Sequence, residues 1–529
     1  MSGNNIISMK YINTHFSETD ICFLISSSIL ILFAIYCFLK ENHKAAFLLL
    51  VLGAFLLRLW MAFIDPFLNQ WDEQYHALVA KNLASHFFVP TLYDNNLLRN
   101  SAENWIGNHI WLHKPPLFLW QMALSIKLFG LKYWAIRIPS VLLTTALVPA
   151  IYRIGFLLQN KQVAFLSALF YACSFLLINV ISGGINTDQN DVVFMCYVVL
   201  SFWTFVEYTF SKKAIHWIFT GIFAAAAILV KWLPGLLVFS AWFFWLIFSR
   251  KERVQFRFWL HLIYSGFIAV LIPATWFISA YIKWPEEFAV TMDLYSKHIN
   301  DDLAHPGVWY YHFQYYYDNF GWVVVALFFI GFIISLIHKK HINTWTSIFI
   351  SILITYFFYT WVLTKMPLMC LIVMPLTLLF VGVSVNEIIL QLNKLPFKFG
   401  AFLSFIVIAF ISVSILRFGE IERVHSFRDE NIYRKSRLHN QRILIETAEN
   451  LKLKEVDVLL NCGFFGNGII TTFYTGLNSY DKVPNEQEFN ILRKGKYKMA
   501  IFDDGKLPFF ILENDSIIIL SDKLMRTGM

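Results

Sequence analysis

Two adjacent carboxylates, Asp72 and Glu73, stand in the polar stretch Gln70-Trp71-Asp72-Glu73-Gln74-Tyr75-His76, just after an apolar run. A carboxylate here could act as a general base, taking the proton of a hydroxyl within hydrogen-bond reach as that hydroxyl attacks an activated carbon. Acids also suit the first turn of a helix, where unpaired N–H groups face them, so capping is the competing account. Further along, Trp111-Leu112-His113-Lys114-Pro115-Pro116 opens a short apolar segment. The two prolines fix the backbone beside Lys114. Its ammonium could neutralise a phosphate leaving group near helix-end N–H groups, or simply reach for lipid headgroups. Arg137 is either a second phosphate contact or an interfacial anchor. Asp188 and Asp191 lie in Gly183-Gly184-Ile185-Asn186-Thr187-Asp188-Gln189-Asn190-Asp191 and could shape the same site or cap the helix that follows. Lys231 interrupts a long apolar run, and an ionisable residue at such depth is a functional candidate by default.

The elements that must position these residues are membrane helices. Of 529 residues, 57% are hydrophobic and only 15% charged, and the mean hydropathy is +0.56; a soluble domain is nearer half apolar and a quarter charged. Runs of about 20 apolar residues occur at 21–39, 45–64, 139–158, 163–182, 191–210, 258–281, 321–337, 345–363, 368–390 and 399–417. The run 214–248 is long enough for two and is broken at Lys231 and Pro234-Gly235. About twelve spans are therefore expected. The net charge of +8 does not point to nucleic acid, because the basic residues are spread over short turns between apolar runs.

Parity settles the short segment Pro116–Gly130. If it does not span, alternate turns (40–44, 159–162, 211–213, 249–257, 338–344, 391–398) hold thirteen lysines and arginines against Glu41 and Glu252. That is a positive-inside pattern, and it is lost if the segment spans. Pro116–Gly130 thus reads as an interfacial or re-entrant helix. The outer face then receives loops 65–138, 183–190 and 282–320, the turn near 231–234, residues 364–367 and the tail. Residues 1–417 form the membrane domain. Residues 418–529 change character, with a charged helix (420–453) followed by short apolar runs between Gly, Asn and Asp turns, which predicts a small extracytoplasmic α/β domain. Five of six cysteines lie in apolar runs and Cys462 stands alone, so no disulfide framework or zinc site is expected.

Four motifs in order, Asp72-Glu73-x-Tyr75, His113-Lys114-Pro115-Pro116-Leu117 with Trp120, Phe129-Gly130, and Arg137-x-Pro139-Ser140, resemble the GT-C membrane glycosyltransferases. The similarity is to the branch of protein O-mannosyltransferases and lipid A aminoarabinose transferases. It implies a sugar donor on a polyprenyl phosphate, with a lipid, glycan or protein as acceptor and no nucleic acid. It also implies roles for Asp72 and Asp188 at the acceptor, with Glu73 shaping the site. Tyr75, Tyr310, Lys365 and Lys231 join Lys114 and Arg137 as substrate-binding candidates. Tyr310 follows His305-Pro306-Gly307-Val308-Trp309, similar to the family's His-x-x-Pro-aromatic-Tyr stretch, and Thr364-Lys365-Met366-Pro367 resembles its Lys-Leu-Pro stretch. Relatives often carry an Arg-Phe pair before that histidine, where this chain has Asn300-Asp301-Asp302, and a Tyr where it has Leu368-Met369. His113 stands where some relatives place a metal-binding Glu, so His113 and His305 are candidate ligands for a divalent metal. The expected setting is a bacterial inner membrane with the site facing the periplasm. A flippase of lipid-linked sugars is the alternative, although it predicts inverted repeats and mid-membrane charges. A third possibility is a non-catalytic scaffold that presents the tail.

Overall fold

The structure, a computed structural model, describes residues 16–98, 106–185, 189–426, 431–463 and 466–521. Ten of the described helices are long and apolar enough to cross a bilayer, which makes the chain an integral membrane protein. The first two, α1 (Glu18–Leu39) and α2 (His43–Phe63), form a hairpin. A capping box of Ser17 and Asp20 starts α1, and Asp20 also accepts from the Trp60 indole at 2.9 Å, tying the pair together. Two shorter helices follow, α3 (Asp72–Ser85) and α4 (Pro116–Phe129). At 14 residues α4 extends only about 21 Å, short of the ~30 Å core of a bilayer.

The bundle continues with α5 (Ile138–Leu158), α6 (Lys161–Ala172), α7 (Phe175–Ile181), α8 (Asn190–Ser211), α9 (Ala214–Lys231) and α10 (Leu237–Phe248). It is completed by α11 (Phe256–Lys283), α12 (Pro285–Asn300), α13 (Tyr311–Ile337), α14 (Ile342–Trp361), α15 (Met374–Leu392) and α16 (Phe397–Leu416). The expected span 163–182 is the pair α6–α7, bent by 47°, and counting it brings the described helices long and apolar enough to cross to eleven. Arg58, buried in α2, serves this bend. Its guanidinium donates to the Ala172 carbonyl at 3.2 Å and lies over the Tyr171 ring, so a backbone group freed at the break has a partner inside the protein. The run 214–248 supplies the expected pair in a shortened form. After α9 the chain turns at Trp232 (φ 90°), makes a 3-10 turn at Leu233–Leu236, and returns through the shorter α10 to the end where α9 began, where Lys212 lies 3.3 Å from Glu252. Helix α13 begins earlier than its apolar run and breaks at Gly321 (φ 74°), a conformation glycine adopts without strain.

The basic turns gather at one end of the bundle. Lys340 bonds the Gln159 carbonyl, His341 packs on Phe210 at 4.5 Å, Lys212 lies 3.3 Å from Glu252, and Asn343 donates to Ser249 at 3.2 Å. A cavity of about 260 Å³ lined by Glu41, His43, Gln162 and Asn393 brings the turns 40–44 and 391–398 to the same end. The alternation derived from charge is thus reproduced in the fold, with Asp72 and Lys114 at the opposite end.

The tail begins at Arg417 (φ 47°), which breaks α16 from α17 (Phe418–His425). After α18 (Ile432–Leu453) come four parallel strands, β1 (Val458–Leu460), β2 (Asn478–Ser479), β3 (Met499–Asp503) and β4 (Ile517–Ser521), in the order β2-β1-β3-β4. Helices α19 (Asn467–Thr475) and α20 (Glu486–Lys494) make the crossovers. The tail is fastened to the first outer loop. Arg434 and His425 meet the buried Asp65 carboxylate at 3.0 and 2.9 Å. Burial alone would raise this carboxyl, but His425 and Arg434, with Arg137 behind them, hold it well below the usual range. Gln441 brackets the Leu68 peptide at both N–H and C=O. Lys81 donates to the Thr472 and Phe473 carbonyls at 2.6 and 2.9 Å, near the C-terminus of α19 where a cation is favoured.

Candidate active site

Helix α3 begins at Asp72, after Trp71 in a left-handed-side conformation (φ 66°) that turns the chain sharply into the helix. Successive helical residues point about 100° apart, so Asp72 and Glu73 cannot share one face. Glu73 turns inward and is 3% exposed. It accepts from Arg137 Nε and Nη2 at 2.7 and 3.2 Å, from the Asn69 N–H at 2.6 Å and from Gln189 Nε2 at 2.6 Å. Gly183 (φ 77°) closes over it, and a Cβ there would sit 2.7 Å from Glu73 Oε2. The other N–H groups of Arg137 donate to the carbonyls of Ala62, Asp65 and Phe67. All five guanidinium N–H groups are therefore committed. Arg137 is a buried structural cation, and the expectation of a phosphate contact gives way to that bonding.

Asp72 faces the other way, with Lys114 Nζ 3.7 Å from its Oδ2 and both side chains partly exposed. Lys114 precedes Pro115, whose extended backbone (φ −61°, ψ 158°) sets the start of α4. Lys114 also stands at the edge of a cavity of about 490 Å³. His113, Lys231, Tyr295 and His298 join it there, and the remaining wall is largely apolar, with Leu233, Ile354, Phe358, Val362, Met369 and Ile372. An apolar chamber with a few convergent polar groups is the usual form of a small-molecule site. Lys231, the last residue of α9, reaches this chamber and bonds Asp191 from α8. Sequence reasoning offered Asp191 as a cap or as a residue shaping the site; the structure makes it the counter-ion of a cavity lysine.

The other candidates divide. Lys365 does not line the chamber. Its ammonium donates to the carbonyls of Tyr359, Thr360 and Val362 at the end of α14, which uses its three protons and leaves none for a phosphate. Tyr310 is exposed and packs edge-on against Trp309 at 5.5 Å, outside the chamber wall. Tyr75, one turn after Asp72, is buried. Burial, with Asp481 and Asp72 nearby, pushes its phenol well above the ordinary value, so it stays a hydroxyl. Asp188 lies outside the described residues. His113 is buried in the chamber wall and kept neutral by burial and then by Lys114. His305 is exposed, with its carbonyl taken by the Lys365 N–H at 2.9 Å. Among the described residues no group of three or more His, Cys, Asp or Glu is placed to hold a metal, and of the two candidate ligands His113 lines the chamber and His305 does not.

Tyr295 and His298 were missed as site residues. They lie three apart on α12, a spacing that puts both on one helical face. Tyr295 Oη donates to the His113 carbonyl at 2.7 Å and its ring packs on Trp232 at 5.0 Å, pinning α12 over the cationic end of the chamber.

This fold is shared with solved membrane transferases. It superposes on ArnT from Cupriavidus metallidurans bound to undecaprenyl phosphate with a TM-score of 0.60 at 13% identity, covering 84% of this chain and 87% of that one. It also matches the archaeal oligosaccharyltransferase AglB from Archaeoglobus fulgidus, in complex with an inhibitory peptide and a dolichol-phosphate. There the TM-score is 0.53 at 10% identity, over 86% and 69% of the two chains. In sequence, residues 113–277 match the family described as dolichyl-phosphate-mannose-protein mannosyltransferase. The undecaprenyl phosphate-alpha-4-amino-4-deoxy-L-arabinose arabinosyl transferase 1 of Pseudomonas fluorescens is 23% identical over 222 residues, 39% of each chain. The match thus spans about two fifths of the length of such curated relatives.

Proposed function

We propose that the chain is a glycosyltransferase that moves a sugar from a polyprenyl-phosphate donor to a hydroxyl of a lipid, glycan or protein acceptor. The observation that carries this reading is the juxtaposition of Asp72 with Lys114 at the cationic end of a largely apolar chamber. The prenyl chain occupies the apolar part, and its phosphate meets Lys114 and Lys231. The acceptor oxygen attacks the anomeric carbon from the side opposite the phosphate, with inversion. Asp72 takes the hydroxyl proton, and the carbon–oxygen bond to phosphate breaks, releasing polyprenyl phosphate. Cations fixed where that charge develops lower the barrier. Glu73 and Arg137 act at a distance by holding the first turn of α3. The charge asymmetry of the turns supports a site on the non-cytoplasmic side, the periplasm in a bacterium.

The test is turnover in detergent. Purified protein is incubated with radiolabelled polyprenyl-phosphate sugars and a membrane-lipid extract, and release of polyprenyl phosphate is measured. Release that requires the extract supports the reading. No release in detergent, together with movement of the labelled lipid across sealed vesicles, would replace it with a flippase.

A further inference from the structure

The cationic end of the chamber contains a titratable group that the proposed reaction does not yet use. His298 lies in the last turn of α12, half-buried, and lines the chamber with Lys114 and Lys231. Its Nδ1 is 2.8 Å from the Leu294 carbonyl one turn back. A carbonyl only accepts, so Nδ1 carries a hydrogen and the ring is oriented by its own helix. The other ring nitrogen, Nε2, is therefore the one that gains or loses a proton. Tyr295, one turn earlier on the same face, holds this part of α12 against His113 and Trp232.

We propose that His298 is a further donor-binding residue: protonated at Nε2, it donates a hydrogen bond to the phosphate of the lipid-linked donor and takes up its proton as that phosphate binds. The proposal rests on the glycosyltransferase reading above and adds to it a third cation, one that exists only when the anion is present.

The surroundings of His298 explain why the proton comes with the ligand. Burial lowers its pKa first, the bond to Leu294 opposes that, and Lys114, Lys231 and His305 lower it further. With the chamber free of anion, these cations disfavour a further positive charge. A phosphate placed among them neutralises that repulsion and adds an acceptor for Nε2–H. The end of α12 contributes in the same direction, because a helix C-terminus favours a cation. His113, the other imidazole of the wall, is more deeply buried, and its pKa lies well below the ordinary value. Tyr295 shares the helix, and Asp191 acts through Lys231. During transfer the leaving phosphate gains a second negative charge, so the proton on His298 is held most firmly as the carbon–oxygen bond breaks.

Calorimetric titration of the full chain in detergent tests this with farnesyl methyl phosphate. This phosphodiester stays singly charged across the neutral range, so any proton taken up is the protein's. Titrations near pH 7 in two buffers of different ionisation enthalpy count the protons. The wild type is expected to bind with uptake of most of one proton, and affinity falls as pH rises, by up to about tenfold per pH unit. His298→Gln should lose the uptake and the pH dependence while keeping the weak high-pH affinity. His298→Lys should restore affinity without proton uptake. Persistence of the uptake in His298→Gln, or its absence in the wild type, overturns the role of His298 and leaves the donor site standing. Failure of the wild type to bind the probe at any pH overturns the donor site, and the role of His298 with it.

Discussion

Asp72 and Glu73 are neighbours in sequence, each paired with a distant cation, and their surroundings could hardly differ more. Glu73 is enclosed by Arg137, Asn69, Gln189 and Gly183, with every guanidinium N–H of its partner committed. Asp72 keeps part of its surface open and meets Lys114 at 3.7 Å, beyond hydrogen-bond length. A carboxylate that accepts four short hydrogen bonds cannot also take a proton from a substrate without dismantling its own site. One that keeps part of its surface open beside a chamber can. The same contrast separates Lys365, used up on helix-end carbonyls, from Lys114 and Lys231 at the chamber wall.

The comparison breaks most visibly at its buried member. Arg137→Met leaves Glu73 buried without its partner and should cost about 3–5 kcal/mol of stability, read as loss of monodisperse protein and a lower thermal midpoint. Adding Glu73→Gln should recover part of that loss. Asp72→Asn should leave the thermal midpoint unchanged and reduce turnover by about 10²–10⁴-fold, the span expected for a general base. Equal turnover in that variant would end the assignment of Asp72. Lys114→Met should lower turnover by about 10²–10³-fold, again without a stability change.

The two smallest effects fall outside the chamber. Lys365→Met should lose about 1–2 kcal/mol of stability while the donor KM stays as in the wild type; a raised KM would return Lys365 to the phosphate. The last concerns Asp481, whose carboxylate accepts from the N–H groups of Gly466 and Gly468 at the start of α19. Burial raises its pKa to about 6, against 3.8 when free, despite those two bonds. The folded protein therefore binds a proton the unfolded chain does not between about pH 4 and 6, so stability rises as pH falls through this window. Thermal midpoints measured from pH 7 to 4 should show the rise in wild type and a flatter profile in Asp481→Asn.

The membrane architecture was legible because hydropathy and charge alternation are local signals. The apolar runs became helices, and the basic turns collected at one end. Local breakers reshaped single spans, at the bend between α6 and α7 and at Trp232 before the short α10. Divergence of Asp72 from Glu73 could be read from helical geometry, but the pairing of Glu73 with Arg137 spans 64 residues and carries no local trace. Lys365 and Lys231 look alike in sequence, each a lone cation between apolar runs. Only the path of the backbone decides that one curls onto carbonyls and the other reaches the chamber. Tyr295 and His298 could have been found, since two polar aromatic residues three apart on an amphipathic helix mark a face. The parallel order of the tail strands could not, because short apolar runs do not encode their neighbours.

The fastening of the tail limits how this protein could be recombined. Asp65 belongs to the membrane part, whereas His425 and Arg434, two of the three partners that hold its pKa down, come from the tail. A tail grafted from another protein would strand that charge unless the graft carried the same two partners. Chimeras should therefore be cut so that the Asp65–Leu68 surface travels with α17 and α18, making the exchangeable unit a loop plus a tail rather than a domain.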